Sequence, residues 1–289
     1  MKLENPIGWC DVTGNLVIGC TKVSPGCLHC YAANDTPARV QRLNKLCICD
    51  GCHETAPVMF LGKTHICGIG MRGTFRRIRL FPNSNSDWLD DRWPIETFAQ
   101  FLDLIRLNGN LDWLCLTKRP ELFHGRLAEA WRSLPIPSTL RPWIQEWLDH
   151  VRHPGQVWFG VSVEDQPRAD ARISELVGIP AAVRWLSCEP LLGMAFVDAN
   201  LPDGPRPDGK RDSDGTGDVF IDWLVIGCES GKDRRNMDGY EAHARSLLAQ
   251  CAAAGVPAYH KQMPVKGRVS HDPADWPAEF RVRQFPSTH

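Results

Sequence analysis

The chain has 289 residues, 43% of them hydrophobic, with a formal net charge of −1 at pH 7. That length and apolar content suit one large α/β domain, and the near-zero charge removes any global electrostatic argument for nucleic acid or membrane binding. No apolar run reaches the roughly 18 residues of a membrane-spanning helix. The opening MKLENPIGWCDVTGN lacks a charged segment followed by an apolar one, so a cytoplasmic protein without a signal peptide is expected.

Taken in order, short apolar runs rich in β-branched and aromatic residues predict buried parallel strands at Leu16–Gly19, Arg77–Pro82, Asp112–Thr117, Val157–Val163, Val183–Cys188, Asp222–Gly227 and Pro257–Gln262. Helical periodicity fills the gaps. WPIETFAQFLDLIRLNG stops at Gly109, RADARISELVGIP at a Gly and a Pro, and YEAHARSLLAQCAAAGVP at Gly255. Two stretches interrupt the rhythm: residues 121–155, with two helix-like pieces, and residues 200–218, a Gly/Pro/Asp-rich segment expected to be a flexible loop. The alternation predicts an α/β fold, a partial or complete (β/α) barrel of six to seven parallel strands with a small Cys-rich insertion at 44–70. A doubly wound open sheet is the alternative. Either fold places a site at the C-terminal strand ends, and these carry NSNSD (83–87), TKRPE (117–121), SVED (162–165), SCEP (187–190), CESG (228–231) and HKQ (260–262).

Seven of the twelve cysteines fall between Cys20 and Cys67. In a reducing compartment such clustering points to metal rather than disulfides. Cys115, Cys188, Cys228 and Cys251 sit alone in apolar patterns and read as small buried hydrophobes. GCTKVSPGCLHCYA sets Cys20, Cys27 and Cys30 in a C-x6-C-x2-C loop after the first predicted strand. Three thiolates converging from a Gly/Pro-containing loop suit a [4Fe–4S] cluster with one open iron. That iron can bind S-adenosylmethionine, whose reductive cleavage yields a 5′-deoxyadenosyl radical. A structural zinc with His29 or Cys10 as fourth ligand is the alternative.

A second cluster, LCICDGCHETAPVMFLGKTHICGIG, holds Cys47, Cys49, Cys52 and Cys67 with His53 and His65. The C-x2-C pair Cys49–Cys52 has the spacing of a zinc knuckle, and His65-Ile-Cys67 offers further ligands. Zinc, an auxiliary iron–sulfur cluster and no metal all remain open. Arg72, Arg76, Arg77 and Arg79, followed by Trp88 and Trp93, form a candidate basic patch with an aromatic platform for a flipped base.

The cysteine loop after the first strand, Tyr31 just past its last cysteine and the βα repeats resemble the radical SAM superfamily. The usual superfamily loop is C-x3-C-x2-C, so the first interval is longer here. GCTKVSPGCLHCYA, LTKRPE, VWFGVSVEDQ, AAVRWLSCEPLLG, IDWLVIGCESG and AGVPAYHKQ resemble, more closely, a phage- and prophage-associated radical-SAM-like family described only as a domain of unknown function. The resemblance implies [4Fe–4S] and S-adenosylmethionine as cofactors, with an electron donor such as flavodoxin or ferredoxin. It implies that Asn83, Ser84 and Asn85 meet the methionine amino group, that Ser162 and Glu164 meet the ribose, and that Tyr31 lies at the cofactor. By position, Glu189 and Glu229 are candidates for adenine or substrate, and Lys118, Arg119 and Lys261 for an anionic group, each with a structural ion pair as the alternative. Phage association points to a nucleotide or nucleic-acid base as substrate. A non-catalytic zinc module for protein or DNA interaction is the competing class.

Overall fold

The structure is a computed structural model that describes residues 5, 7–14, 37–67, 70, 72–202, 220–231, 234–235 and 237–287. Its elements run β1 (Val12–Thr13), α1 (Pro37–Leu43), β2 (Leu46–Cys49), β3 (Thr55–Pro57), β4 (Thr64–Ile66), β5 (Arg72–Arg76), β6 (Ile78–Phe81) and α2 (Ile95–Leu107). They continue with β7 (Leu111–Thr117), α3 (Phe123–Ser133), α4 (Leu140–Leu148), β8 (Val157–Ser162), α5 (Gln166–Val177), β9 (Val183–Cys188), β10 (Trp223–Gly227), α6 (Tyr240–Ala254), β11 (Ala258–Val265) and β12 (Arg268–Ser270). The expected strand Leu16–Gly19, the loop of Cys20, Cys27 and Cys30, Tyr31, and most of the 200–218 segment lie outside the described residues.

Eight strands form one sheet in the order β1-β6-β7-β8-β9-β10-β11-β12. Neighbours follow chain order, so the sheet winds in one sense and curls into a half-barrel. A doubly wound sheet reverses its order at a switch point, and none occurs here. β1 and β6 through β11 are parallel, and β12 alone is antiparallel. The β11–β12 turn passes through Lys266 and Gly267, both at positive φ (47° and 77°). That pair of conformations lets a two-residue turn follow the strand twist.

Alternate residues of each strand divide two apolar layers. One face packs on the helices: Trp113, Cys115, Phe159, Val161, Leu186, Cys188, Leu224 and Ile226 belong to the large core with Phe98, Leu127, Ile173 and Leu247. The opposite face carries Phe81, Leu114, Trp158, Trp185, Trp223 and Tyr259, closed by Trp9 from the segment before β1. Here Trp9, Trp185 and Trp223 follow one another at 5.1 and 5.5 Å between ring centroids. Gly160 is required for this stacking, because a Cβ there would lie 2.3 Å from the Trp185 ring.

Between β1 and β6 a second, antiparallel sheet is inserted, ordered β3-β2-β5-β4 and running on to Arg76. Its own buried apolar cluster is small: Cys47, Cys49 and Phe75, with Cys52 and Ala56 beside them. Helices α3 and α4 occupy the 121–155 interruption and bury Phe123, Leu127, Ile144 and Trp147 against the sheet's helical side.

Candidate active site

The aromatic floor gives way, toward the C-terminal strand ends, to small residues and then to charge. On the floor side of β8 the sequence reads Trp158, Gly160, Ser162 and then Glu164. β9 gives Trp185, Ser187 and Glu189, and β10 gives Trp223, Val225, Gly227 and Glu229. Large side chains fill the bottom, glycine and serine leave room above them, and carboxylates stand at the rim. Gly227 is needed for this, since a Cβ there would come 3.3 Å from the Glu189 carboxyl carbon.

The rim charges are buried and interlocked. Glu164, with no exposed surface, pairs with Lys118 Nζ and, at 2.8 Å, with Arg172 Nη1 from α5. Arg172 also donates to the Ser162 carbonyl at 2.7 Å. Within SVED the two acids divide the labour. Glu164 joins the site, while Asp165 caps α5, its carboxylate accepting from the Arg168 amide at 3.2 Å. Lys261 donates to Glu189 at 2.5 Å, and Gln262 Nε2 donates to the same carboxylate at 3.1 Å. Glu229 accepts from Arg235 Nη2 at 2.6 Å and from the Arg235 amide at 2.8 Å. Asp87 accepts from Thr117 Oγ1 (2.7 Å), the Lys118 amide (2.8 Å) and Arg119 Nη1 (2.9 Å). It thereby ties the end of β6 to the end of β7.

These contacts bring together the expected Lys118 with Glu164, and Lys261 with Glu189. Asn83 and Asn85 are buried after β6, where Asn83 Nδ2 donates to Ser86 Oγ at 3.1 Å. Asn83 Oδ1 is buried and accepts no hydrogen bond from the described residues. Ser162 is also buried, at the end of β8. Arg172, Arg235 and Asp90, which accompanies Asp87 at Arg119, were not among the sequence candidates. Arg172 had a legible signal. It sits in the buried stripe of α5 with Ala169, Ile173 and Leu176, where a cation needs an anionic partner. Arg235 lies in an aperiodic loop and offered no such signal.

Three expectations are corrected. The basic patch is not a continuous open nucleic-acid face, because of its four arginines only Arg72 is exposed. Arg76 is bound to Asp11 through both terminal nitrogens (2.7 and 2.9 Å), Arg77 faces Asp112, and Arg79 is buried over the Phe285 ring at 3.7 Å. Trp88 and Trp93 are core residues and cannot serve as a stacking platform. Cys10, the alternative fourth ligand, is buried in the aromatic floor, and burial followed by the charge of Asp11 raises its thiol. In the second cysteine cluster, Cys47 lies outside the converging group, its thiol donating to the Ala56 and Pro57 carbonyls at 3.5 and 3.3 Å. Cys49, Cys52 and His65 do converge, their ligand atoms all within 4.8 Å of one another. Cys115, Cys188, Cys228 and Cys251 are buried as expected, and desolvation raises all four thiols, Cys228 and Cys251 to about 12.

Compared with known proteins, the chain matches one family profile, "Protein of unknown function (DUF5131)", over residues 4–274. No curated protein and no solved structure matches it. No helix among the described residues is long and apolar enough to cross a membrane.

Proposed function

We propose that this chain, which belongs to the DUF5131 family of proteins of unknown function, is a radical S-adenosylmethionine enzyme holding a [4Fe–4S] cluster on Cys20, Cys27 and Cys30. The observation that carries the reading is Asn83 Oδ1, a buried acceptor at the end of β6 with no donor among the described residues. β6 pairs in parallel with β1, whose chain runs on toward Cys20. A buried carbonyl oxygen left unsatisfied is costly, so a donor supplied by a ligand fits there. The amino group of a bound methionine moiety has that chemistry.

The cluster and S-adenosylmethionine, when bound, supply a 5′-deoxyadenosyl radical. The chain's own residues bind, orient and shield. Lys118 and Arg172 hold the Glu164 carboxylate in a fixed direction, and Lys261 and Gln262 do the same for Glu189. The aromatic floor keeps water from beneath. Because each lysine already has a carboxylate partner, the rim presents charge in pairs rather than as a cationic patch. That favours a zwitterionic amino acid and a small nucleoside-like substrate over a nucleic-acid backbone, which calls for a basic surface. The half-barrel is read as the partial (β/α) barrel of such enzymes, and flavodoxin or ferredoxin as the electron donor.

The test is anaerobic reconstitution with iron and sulfide, followed by dithionite and S-adenosylmethionine, with chromatography for 5′-deoxyadenosine. The nucleoside is expected from the wild type and not from Cys20→Ala, Cys27→Ala or Cys30→Ala. Sustained cleavage by Cys27→Ala overturns the assignment. Asn83→Ala is expected to weaken S-adenosylmethionine binding by about tenfold, the scale of one buried hydrogen bond to a charged group. Unchanged binding removes Asn83 from the site.

A further inference from the structure

We infer that the inserted antiparallel sheet is a zinc site, with Cys49, Cys52 and His65 as ligands, Cys67 as the fourth, and Cys47 excluded. This does not depend on the radical reading, which concerns other cysteines on another part of the chain.

The argument begins with strand order. Cys49 ends β2 and His65 lies in β4, but β5 runs between those strands. Ligands from non-neighbouring strands meet only if the intervening strand has no side chain in the way. At that place β5 carries Gly73, the partner of His65 across the β4–β5 ladder. A Cβ on Gly73 would lie 2.6 Å from Cys49 Sγ, 2.7 Å from Asp50 Oδ1 and 2.9 Å from the Gly51 amide nitrogen, so only a glycine lets the Cys49–Cys52 turn lie close against β5 between the two ligands. Ligands around a tetrahedral zinc, at bond lengths of about 2.0–2.3 Å, stand roughly 3.3–3.8 Å apart. The observed group, within 4.8 Å, needs only a small contraction to meet that spacing.

The surroundings agree. His65 Nε2 is buried without a hydrogen bond, and the nearest carboxylate, Glu54, stands 3.6 Å away. Cys49 and Cys52 flank a tight turn closed by the His53 amide on the Cys49 carbonyl at 3.0 Å, with His53 at φ 60°. The Cys49 amide donates to the Glu54 carbonyl at 2.9 Å. Cys67 is buried one residue past the end of β4 and two residues after His65; its thiol stands outside the 4.8 Å group but on the segment that carries His65 into it. Cys47 has carbonyl partners of its own. Beyond Ile48, which joins the main core, and the Arg76–Asp11 pair, the sheet has little packing of its own. Its buried apolar cluster is three residues plus two partly buried neighbours, while Met59 and Ile66 are exposed. Elements with so little core are held by a metal or a disulfide, and all of its cysteines are free. Two or three thiolates with one imidazole suit a structural zinc site.

The test uses the full chain in a Cys20→Ser/Cys27→Ser/Cys30→Ser background, so that neither cluster loss nor zinc in the first loop affects the result. Zinc and iron are measured by mass spectrometry after desalting. Stoichiometric zinc is expected in this background. A fall of about tenfold or more is expected for Cys49→Ser, Cys52→Ser and His65→Ala, since even outer partners of a metal site act on that scale. The same loss is expected for Gly73→Ala, which removes no ligand but pushes the Cys49–Cys52 turn off β5, whereas Cys47→Ser keeps its zinc. Where a variant is insoluble, cobalt replaces zinc in the background protein, and thiolate-to-cobalt charge-transfer absorption together with tetrahedral d–d bands is the expected signature. The inference is overturned by zinc that survives the Cys49→Ser/Cys52→Ser double variant. It is equally overturned by iron in place of zinc, or by six-coordinate cobalt without charge transfer.

Discussion

The two sheets of this molecule are stabilised in opposite ways. The eight-stranded sheet buries tryptophans and phenylalanines on both faces and can therefore support desolvated ion pairs at its rim. The inserted sheet buries only a small cluster of its own, Cys47, Cys49 and Phe75, lends Ile48 to the main core, exposes Met59, Phe60 and Ile66, and gathers cysteines and a histidine. The hydrophobic effect scales with buried apolar area, at about 25 cal/mol per Å². The first sheet can thus hold functional charge in place, and the second needs bonds from outside its own side-chain packing.

The largest expected effect falls on the rim of the first sheet. Glu164→Ala leaves Lys118 and Arg172 facing each other in a buried site, and unfolding by urea should show a loss of about 3–5 kcal/mol. A loss under 1 kcal/mol would mean that water, rather than the protein interior, surrounds this triad.

The next is a pH effect. Burial, only partly offset by Arg77 and Arg79, raises Asp112 from 3.8 to about 6. Burial likewise lowers His260 from 6.5 to about 4, against the hydrogen bond it shares with the Phe280 carbonyl. Between pH 4 and 6 the native state keeps a proton on Asp112 that the unfolded chain has released, so this group makes stability fall as pH rises. Over pH 4 to 6.5 the unfolded chain carries a proton on His260 that the native state refuses, so that group makes stability rise with pH. Each is worth about 3 kcal/mol and they oppose. Asp112→Asn removes one of them, and its stability should climb by about 3 kcal/mol more than that of the wild type from pH 4 to 6.5. Parallel pH profiles for the two proteins would show that these groups do not control acid stability.

Gly160→Ala pushes a methyl into the Trp185 ring and should cost about 1–3 kcal/mol, read in the same denaturation experiment. The smallest global effect is expected in the inserted sheet. His65→Ala should leave the main unfolding transition within about 0.5 kcal/mol of the wild type, while speeding protease cleavage within residues 46–76. A shift as large as that of Glu164→Ala would show that the two sheets fold as one unit.

Much of the main sheet was legible in the chain. The β9 strand occupies the expected residues, and the strands from Arg77, Asp112, Val157 and Asp222 agree at their ends to within a residue or so, because buried parallel strands are continuous apolar runs. The site was partly legible for the same reason. Glu164, Glu189, Lys118 and Lys261 stand where polar residues interrupt those runs. Their pairing was not legible, since Lys118 and Glu164 come from different strands and only the sheet order makes them neighbours. The basic stretch near Arg76 misled because a run of arginines looks like a surface patch until Asp11 and Asp112, far away in sequence, are set beside it. Cys47 misled because spacing alone does not say which carbonyls a thiol meets: it shares the buried face of β2 with Cys49, yet its thiol is taken by Ala56 and Pro57.

The sequence by itself determined the alternation of strand and helix, the aromatic and small residues recurring at every second position, and the polar strand ends. All of these follow from local periodicity and side-chain size. Only the tertiary structure decided which carboxylate meets which cation, that Trp88 and Trp93 belong to the core, and that Gly73 lets the Cys49–Cys52 turn lie against β5, where Cys49 and His65 converge. Those outcomes depend on strand order and register, which bring together residues that no local pattern in the chain relates.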